Sequence, residues 1–282
     1  MGNRNSKSRN NQSSNYANEL ASSSKNSDKY TFEGGRRYHN VENSKYFLPN
    51  DDDECDRLHV MHFTYRFIWR SNFSAPVEDL LKQEGSRVLD VGFTGVDISP
   101  IQPGYIKPKN AEFIEANILE RLPFDNDTFD FVFQRLLFAG IPENEWHSVI
   151  NELVRVLKPG GYIELFELDF QYSIMGPATT KIINGIINLF HERGLDTHIC
   201  YKLQRYLEQQ KQLHNVHFEI KKRYDGEDAE KLCRLAAGNY ATFLETMKPK
   251  LMSIIDVPSD EYDDLVKNMK NEIIELKSFN PQ

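Results

Sequence analysis

The sequence of 282 residues has few cysteines, no long apolar run and no excess of positive charge. Cys55, Cys200 and Cys233 are odd in number, far apart and without CxxC spacing, which favours reduced intracellular thiols over disulfides or structural zinc. No apolar run reaches the roughly 18 residues of a membrane span, and the N-terminus has no apolar signal-peptide core. The net charge of −8 gives no general attraction to nucleic acid. We therefore expect a cytoplasmic protein without a metal site or a nucleic-acid partner.

The first 37 residues are predicted to form a disordered tail, because Asn and Ser dominate them and little apolar surface is available for burial. The first six residues fit the N-myristoylation pattern, with Gly2 as the acceptor and Arg4, Lys7 and Arg9 nearby. One acyl chain plus basic residues would give a weak membrane association, and peripheral-membrane or nuclear location is the alternative to the cytoplasm. A serine-rich tail also produces this match by chance, so acylation is a hypothesis.

Residues 38–282 are predicted to form one domain that begins with a helical lead-in over 51–84. Apolar residues at helical spacing follow a cluster of five acids; they are Leu58, Met61, Tyr65, Ile68 and Trp69. Negative charge is favourable at a helix N-terminus, so the acids of 51–56 are interpreted as a helix start rather than as metal ligands.

Short apolar runs then alternate with helical patterns. The candidate strands are 87–92, 93–98, 112–116, 129–133 and 162–168, and a late strand is possible over 216–224. Helical spacing over Trp146–Leu157 stops at Lys158-Pro159-Gly160-Gly161. A second buried helix runs through Ile182–Phe190 and ends near Gly194. This alternation predicts an α/β fold with a doubly wound, mostly parallel sheet in 86–225, followed by C-terminal helices over 228–277.

Ligands of such a sheet bind beyond the carboxyl ends of its strands, so the polar residues there carry the functional signal. Five segments of this kind follow one another in order: Val88-Leu89-Asp90-Val91-Gly92, Gly95-Val96-Asp97-Ile98-Ser99, Glu115-Ala116-Asn117-Ile118-Leu119, Phe129-Asp130-Phe131-Val132-Phe133-Gln134 and Val156-Leu157-Lys158-Pro159-Gly160-Gly161. In this order they resemble the motifs of the class I S-adenosylmethionine-dependent methyltransferases. The segment Tyr46-Phe47-Leu48-Pro49-Asn50-Asp51 is similar to the lead-in of fungal trans-aconitate methyltransferase-like enzymes and secondary-metabolism regulators.

The resemblance implies a Rossmann-like fold, S-adenosylmethionine as cofactor, and methyl transfer to an unknown small-molecule or protein acceptor. It implies that Asp90 and Gly92 border the methionine part of the donor, and that Asp97, followed by Ile98, holds the ribose. Asn117 and Ile118 would flank the adenine, and Gln134 would face the methyl sulfonium or the substrate. These implied site residues are Asp90, Gly92, Asp97, Ile98, Asn117, Ile118 and Gln134. No catalytic residue is implied, because positioning supplies most of the rate of such a displacement, and the oligomeric state stays open.

The sequence departs from the family pattern between the first two motifs. Gly92 and Asp97 are five positions apart, where related sheets place the second acid about 20 residues on. The glycine-rich turn and first helix are therefore missing, and a parallel crossover needs a dozen or more residues. Either one segment fills the central position and the other becomes irregular, or the two fuse, or they form a hairpin; we expect the first.

This departure leaves a second functional class open. Without the backbone N–H groups of the missing turn, cofactor binding is weakened or lost. The alternative is a catalytically inactive binding or regulatory relative, or the product of a shortened gene model.

Overall fold

A computed structural model of the chain describes residues 30–41, 46–92, 96–97, 109–170, 174–221 and 227–276. Every structural statement below concerns these residues. The Gly2 acylation pattern, most of the expected tail and Ile98 lie outside them.

An antiparallel hairpin opens the described chain. Strand β1 (Tyr30–Glu33) pairs with β2 (Arg36–His39). Arg36 joins this hairpin to the first helix, because its Nε lies 2.5 Å from Asp51 Oδ2 and its Nη2 lies 2.8 Å from Asp51 Oδ1. The expected boundary at residue 38 falls inside β2, so residues 30–37 belong to the folded part of the protein and not to the tail.

The predicted lead-in helix is present as α1 (Asp52–Trp69), followed by the short α2 (Glu78–Leu81). Asp51 caps α1 by accepting a hydrogen bond from Glu54 N at 3.1 Å, and acids fill the first turn. This arrangement satisfies backbone N–H groups that a helix start leaves without partners. The interpretation of the acids as a helix start is confirmed.

The central sheet has five parallel strands: β3 (Val88–Val91), β4 (Val96–Asp97), β5 (Ile114–Glu115), β6 (Phe129–Arg135) and β7 (Leu157–Phe166). Their spatial order is β5-β4-β3-β6-β7. All four neighbouring pairs are parallel. The predicted Rossmann-like, incomplete parallel sheet is confirmed, and it brings the carboxyl ends of the strands to one edge.

The expectation that β3 and β4 cannot both take adjacent places is wrong. They are parallel neighbours although only residues 92–95 separate them. A long crossover is needed when two parallel strands overlap along their length. Here the register contains one pair, Val91 with Val96, so β4 begins at the height where β3 ends.

Helices pack around the sheet and extend the fold. They are α3 (Trp146–Val156), α4 (Pro177–His191), α5 (Cys200–Glu208), α6 (Ala229–Ile255) and α7 (Ser259–Glu275). The predicted core face of α3 is buried at Trp146, Val149, Ile150 and Leu153. The helices predicted over Ile182–Phe190 and after residue 228 are also confirmed.

The late strand is the other correction in the fold. Residues 216–221 form no strand, and 222–224 lie outside the described part. The sheet order gives this segment no described neighbour with which to form a hydrogen-bonded ladder, and Phe218 is 43% exposed. The three cysteines are free thiols. Within the described ranges, no helix combines the length and the apolar character needed to cross a bilayer.

Candidate donor and acceptor cavities

A cavity lies at the carboxyl edge of the sheet, where the sequence places the functional residues. Its floor contains Gly92, Asp97 and Asn117, which follow or end β3, β4 and β5. Its opposite wall is α1, through residues such as His62 and Trp69. This cavity is called the strand-end cavity below.

The structure brings together four of the implied site residues. Gly92, Asp97, Asn117 and Ile118 all line the strand-end cavity. Asn117 shapes its own loop as well, since its Oδ1 accepts a hydrogen bond from Leu119 N at 3.0 Å. A carboxylate, a side-chain amide and an apolar side chain in one cavity suit the hydroxyls, polar edge and flat face of a nucleoside.

Gly92 allows a close approach that a larger residue would prevent. Its φ is +134°, and a Cβ at this position would lie 2.8 Å from the Arg135 carbonyl oxygen. Only glycine adopts such a conformation at low cost. Gly92 thus lets the end of β3 lie close to the backbone of β6 at the cavity lining.

Asp90 contacts the cavity through another residue. It does not line the cavity itself, but its Oδ2 accepts a hydrogen bond from Arg135 Nη2 at 3.0 Å. Arg135 lines the cavity and also donates from Nη1 to His62 Nδ1 at 2.7 Å. Sequence reasoning missed Arg135, although a cation at the end of a buried strand on the ligand edge is a visible signal.

Gln134 does not reach the cavity. Its side chain is fully buried, and its Nε2 donates to Glu167 Oε1 at 2.5 Å. Consecutive residues of a strand point to opposite faces, so Arg135 and not Gln134 faces the cavity. The expectation that Gln134 faces the methyl sulfonium has no support in this arrangement.

Glu164 fixes another wall of the strand-end cavity. Its carboxylate accepts hydrogen bonds from Ser74 N at 2.8 Å and from Ala75 N at 2.7 Å. Burial raises the pKa of Glu164 above its usual value, and the two backbone N–H groups oppose that rise. The segment after α1 is thereby held against β7.

A second cavity adjoins the first on the side of α4 and α6. Both cavities share the wall residues Tyr46, Leu58, Met61, Tyr65 and Leu136. Most of the remaining wall of the second cavity is aromatic or aliphatic, including Phe138, Phe170, Phe190 and Phe243. We call it the inner cavity.

The inner cavity has a nearly neutral wall. Arg57 is the one charged residue among the described residues that line it, and its guanidinium donates to the buried Glu54 carboxylate at 2.6 and 2.8 Å. Burial raises the pKa of Tyr46 and of Tyr65, so both phenols remain protonated at neutral pH. Among the described residues, no cluster of His, Cys, Asp and Glu is arranged to hold a metal ion.

Comparison with known proteins agrees with this geometry. A family model described as a methyltransferase domain matches residues 79–161. Methyltransferase pytC of Aspergillus terreus is 29% identical over 192 residues, which cover 59% of this chain and 57% of that protein. Methyltransferase str2 of Strobilurus tenacellus is 27% identical over 132 residues, covering 45% and 47%. Secondary metabolism regulator laeA of Aspergillus fumigatus is 30% identical over 169 residues, covering 54% and 44%.

The chain spans about half the length of the curated relatives it matches. The matched family model covers β3–β6, α3 and the start of β7, and it includes Gly92, Asp97 and Asn117 of the strand-end cavity. Over residues 79–161 the chain is therefore similar to a methyltransferase domain, and the relatives named above are two methyltransferases and a secondary metabolism regulator of fungi.

Proposed function

We propose that this protein transfers a methyl group from S-adenosylmethionine in the strand-end cavity to a neutral, largely apolar small molecule in the inner cavity. The observation that carries the proposal is the wall that the two cavities share, which contains Met61, Tyr65 and Leu136. Because the same residues line both cavities, ligands bound in them would lie next to each other. Such an arrangement suits a reaction between a donor and an acceptor.

The residues of the strand-end cavity fit the donor. Gly92 leaves room for the methionine part, and Asp97 offers a carboxylate that accepts hydrogen bonds from both ribose hydroxyls. Asn117 and Ile118 offer polar and apolar contacts for the adenine. These assignments follow the family resemblance, and the shared cavity supports them.

The chemistry asks little of the protein beyond placement. When bound, S-adenosylmethionine would supply an activated methyl group: the sulfur would keep the electron pair of the broken sulfur–methyl bond, and a neutral acceptor would gain the methyl group and release its proton to water. A displacement of this kind requires the acceptor atom in line with the breaking bond, and fixed orientation supplies several kcal/mol of the barrier. The cavity walls would provide this orientation.

The inner cavity favours a neutral acceptor over an acid. A di- or tricarboxylate would lose its hydration there, and the single cation, Arg57, already pairs with Glu54. Burial of an uncompensated charge is costly, whereas the aromatic wall suits flat apolar groups. The protonated phenols of Tyr46 and Tyr65 can orient a polar substituent through hydrogen bonds.

A catalytically inactive relative is the second candidate. The observation that favours it is the link of residues 92–95 between β3 and β4, which is too short for the glycine-rich turn and helix of the family. An inactive relative would use the same surface to bind a partner.

Calorimetric titration with S-adenosylmethionine separates the two candidates. The proposal expects binding heat, a loss of affinity of about 10-fold or more in Asp97→Asn, and none in the exposed control Asp125→Asn. Absence of heat at millimolar ligand would support the inactive relative.

The acceptor class has its own test. Ala236 lines the inner cavity from α6, and its exposed neighbour Leu235 does not. We expect labelled methyl transfer to a panel of neutral phenols but not to di- and tricarboxylic acids. Ala236→Phe should abolish transfer and leave donor binding unchanged, whereas Leu235→Phe should alter neither. Transfer to the carboxylic acids would contradict the proposed class.

A further inference from the structure

Arg135 lines the strand-end cavity next to Gly92, the residue after which the family pattern has its glycine-rich turn. It is the last residue of β6, one step beyond the Gln134 that pairs with Val91. Its carbonyl oxygen lies against Gly92, where a Cβ would approach to 2.8 Å. Its side chain, 13% exposed, lines the cavity together with Gly92.

Two side chains hold the guanidinium in place. Nη2 donates to Asp90 Oδ2 at 3.0 Å, and Nη1 donates to His62 Nδ1 at 2.7 Å. Burial, together with the positive charge of Arg135, lowers the pKa of His62. A guanidinium only donates hydrogen bonds, so His62 is neutral, accepts at Nδ1 and carries its proton on Nε2.

Arg135 therefore presents a positive group to the cavity beside Gly92, and Asp90, which does not line the cavity, holds it from behind at 3.0 Å. The methionine part of S-adenosylmethionine carries an α-carboxylate and an α-ammonium group. A guanidinium has five N–H groups, and the contacts to Asp90 and His62 use two of them. Charge and geometry match at this end of the cavity.

The ligand carboxylate needs a hydrogen-bonding partner from elsewhere in the chain, because the segment between β3 and β4 is short. Only the four positions 92–95 separate β3 from β4, too few for a turn and crossover helix whose N-terminus would present backbone N–H groups to an anion. Arg135 reaches the same part of the cavity from the neighbouring strand. An arginine binds a carboxylate through charge-assisted hydrogen bonds, which are stronger than neutral ones.

We infer that Arg135 binds the α-carboxylate of S-adenosylmethionine and so replaces the missing glycine-rich turn. This inference rests on the proposed donor site in the strand-end cavity. It assigns Arg135 as a donor-binding residue, positioned by Asp90 and His62.

The test compares S-adenosylmethionine with its decarboxylated form, which retains the nucleoside, the sulfonium and the amine. Titration calorimetry should show the wild-type protein binding the intact donor about 10- to 100-fold more tightly. Arg135→Gln should reduce this ratio to within about threefold. If Arg135 had only a structural role, its substitution would weaken the binding of both ligands equally and leave the ratio of their affinities unchanged.

Two further variants complete the comparison. Arg121 is exposed and does not line the cavity, so Arg121→Gln makes the same charge change and should keep the wild-type ratio. Arg135→Lys retains the positive charge and should retain part of the discrimination. If Arg135→Gln does not fold, as judged by circular dichroism, the wild-type ratio and the lysine variant decide the question.

The outcomes are distinct. Equal binding of the two ligands by the wild-type protein, or an equal loss for both in Arg135→Gln, would overturn the inference and leave the proposed donor site intact. Failure of the wild-type protein to bind either ligand would contradict the donor site itself, and the role of Arg135 with it.

Discussion

Gln134 donates a hydrogen bond from Nε2 to the buried carboxylate of Glu167 at 2.5 Å. The same carboxylate accepts from Leu137 N at 2.8 Å and from Phe138 N at 3.2 Å. It thereby ties the end of β6 to the loop that follows, and Leu137 of this loop lines the strand-end cavity. A buried acid thus shapes the strand-end cavity without lining it.

Glu167 should make the stability of the protein depend on pH. Burial raises its pKa from 4.5 to about 7, against the opposing hydrogen bonds from Gln134 and the backbone. Between these values the folded state binds the proton more tightly than the unfolded state, so stability falls as pH rises from about 4.5 to about 7. The expected loss is on the order of 3 kcal/mol.

Glu167→Gln should flatten this dependence, because an amide does not titrate in this range. Urea unfolding at pH 5, 6, 7 and 8 measures the free energy for both proteins. An unchanged slope in the variant would contradict the assignment.

Gly92→Ala should weaken both folding and donor binding. The new Cβ would meet the Arg135 carbonyl oxygen at 2.8 Å, in a backbone conformation that alanine rarely adopts. We expect a loss of about 1–3 kcal/mol in unfolding free energy, together with weaker binding of S-adenosylmethionine. Denaturant unfolding and calorimetry check the two effects.

Gly160 supplies the control for Gly92. It also has a positive φ, +81°, but no atom lies within 4 Å of its hypothetical Cβ. Gly160→Ala should therefore show the conformational cost alone and leave donor binding unchanged. Equal effects of the two substitutions on binding would show that close packing at Gly92 is unimportant.

Glu272 should stabilise the start of α4 from a distant helix. Its carboxylate, on α7, accepts from Ala178 N at 3.0 Å, Thr179 N at 2.8 Å and Thr179 Oγ1 at 2.7 Å. Burial raises the pKa of Glu272, but the hydrogen bonds outweigh it and hold the pKa below its usual value. We expect Glu272→Gln to cost about 1–2 kcal/mol at pH 7.

The effect of Glu272→Gln should shrink in acid. A carboxylate with a lowered pKa contributes stability above its unfolded value of 4.5 and loses it as pH falls through the folded value. Glu275→Gln, an exposed change on the same helix, is the matched control and should have little effect. Thermal unfolding at pH 7 and pH 4 tests this, and an equal deficit at both values would argue against the charged cap.

The helices and most strands could be predicted because their signals are local. The spacing of Trp146, Val149, Ile150 and Leu153 has the helical period, and the strands of the sheet are short apolar runs. The segment 216–221 has a similar run but forms no strand. A strand is stabilised by hydrogen bonds to neighbouring strands. The sequence pattern of 216–221 gave no information about neighbours, and no described strand lies beside this segment.

The candidate site was predicted only in part, because some of its residues follow from topology and others depend on the orientation of a strand. Gly92, Asp97 and Asn117 follow consecutive strands of a parallel sheet, and their convergence at one edge follows from topology. Gln134 and Arg135 are adjacent, and which of them faces the cavity depends on the orientation of β6. The apolar face of α1, through Leu58 and Met61, lines the two cavities.

The sequence by itself determined the order of strands and helices, the acidic start of α1 and the residues that converge at the sheet edge, because periodicity and strand order are properties of the chain. Only the tertiary structure decided that β3 and β4 are neighbours through the single pair of Val91 and Val96, and that Arg135 reaches the space beside Gly92. Both depend on the height at which one strand meets another, which is set by packing across the sheet and not by local residue pattern.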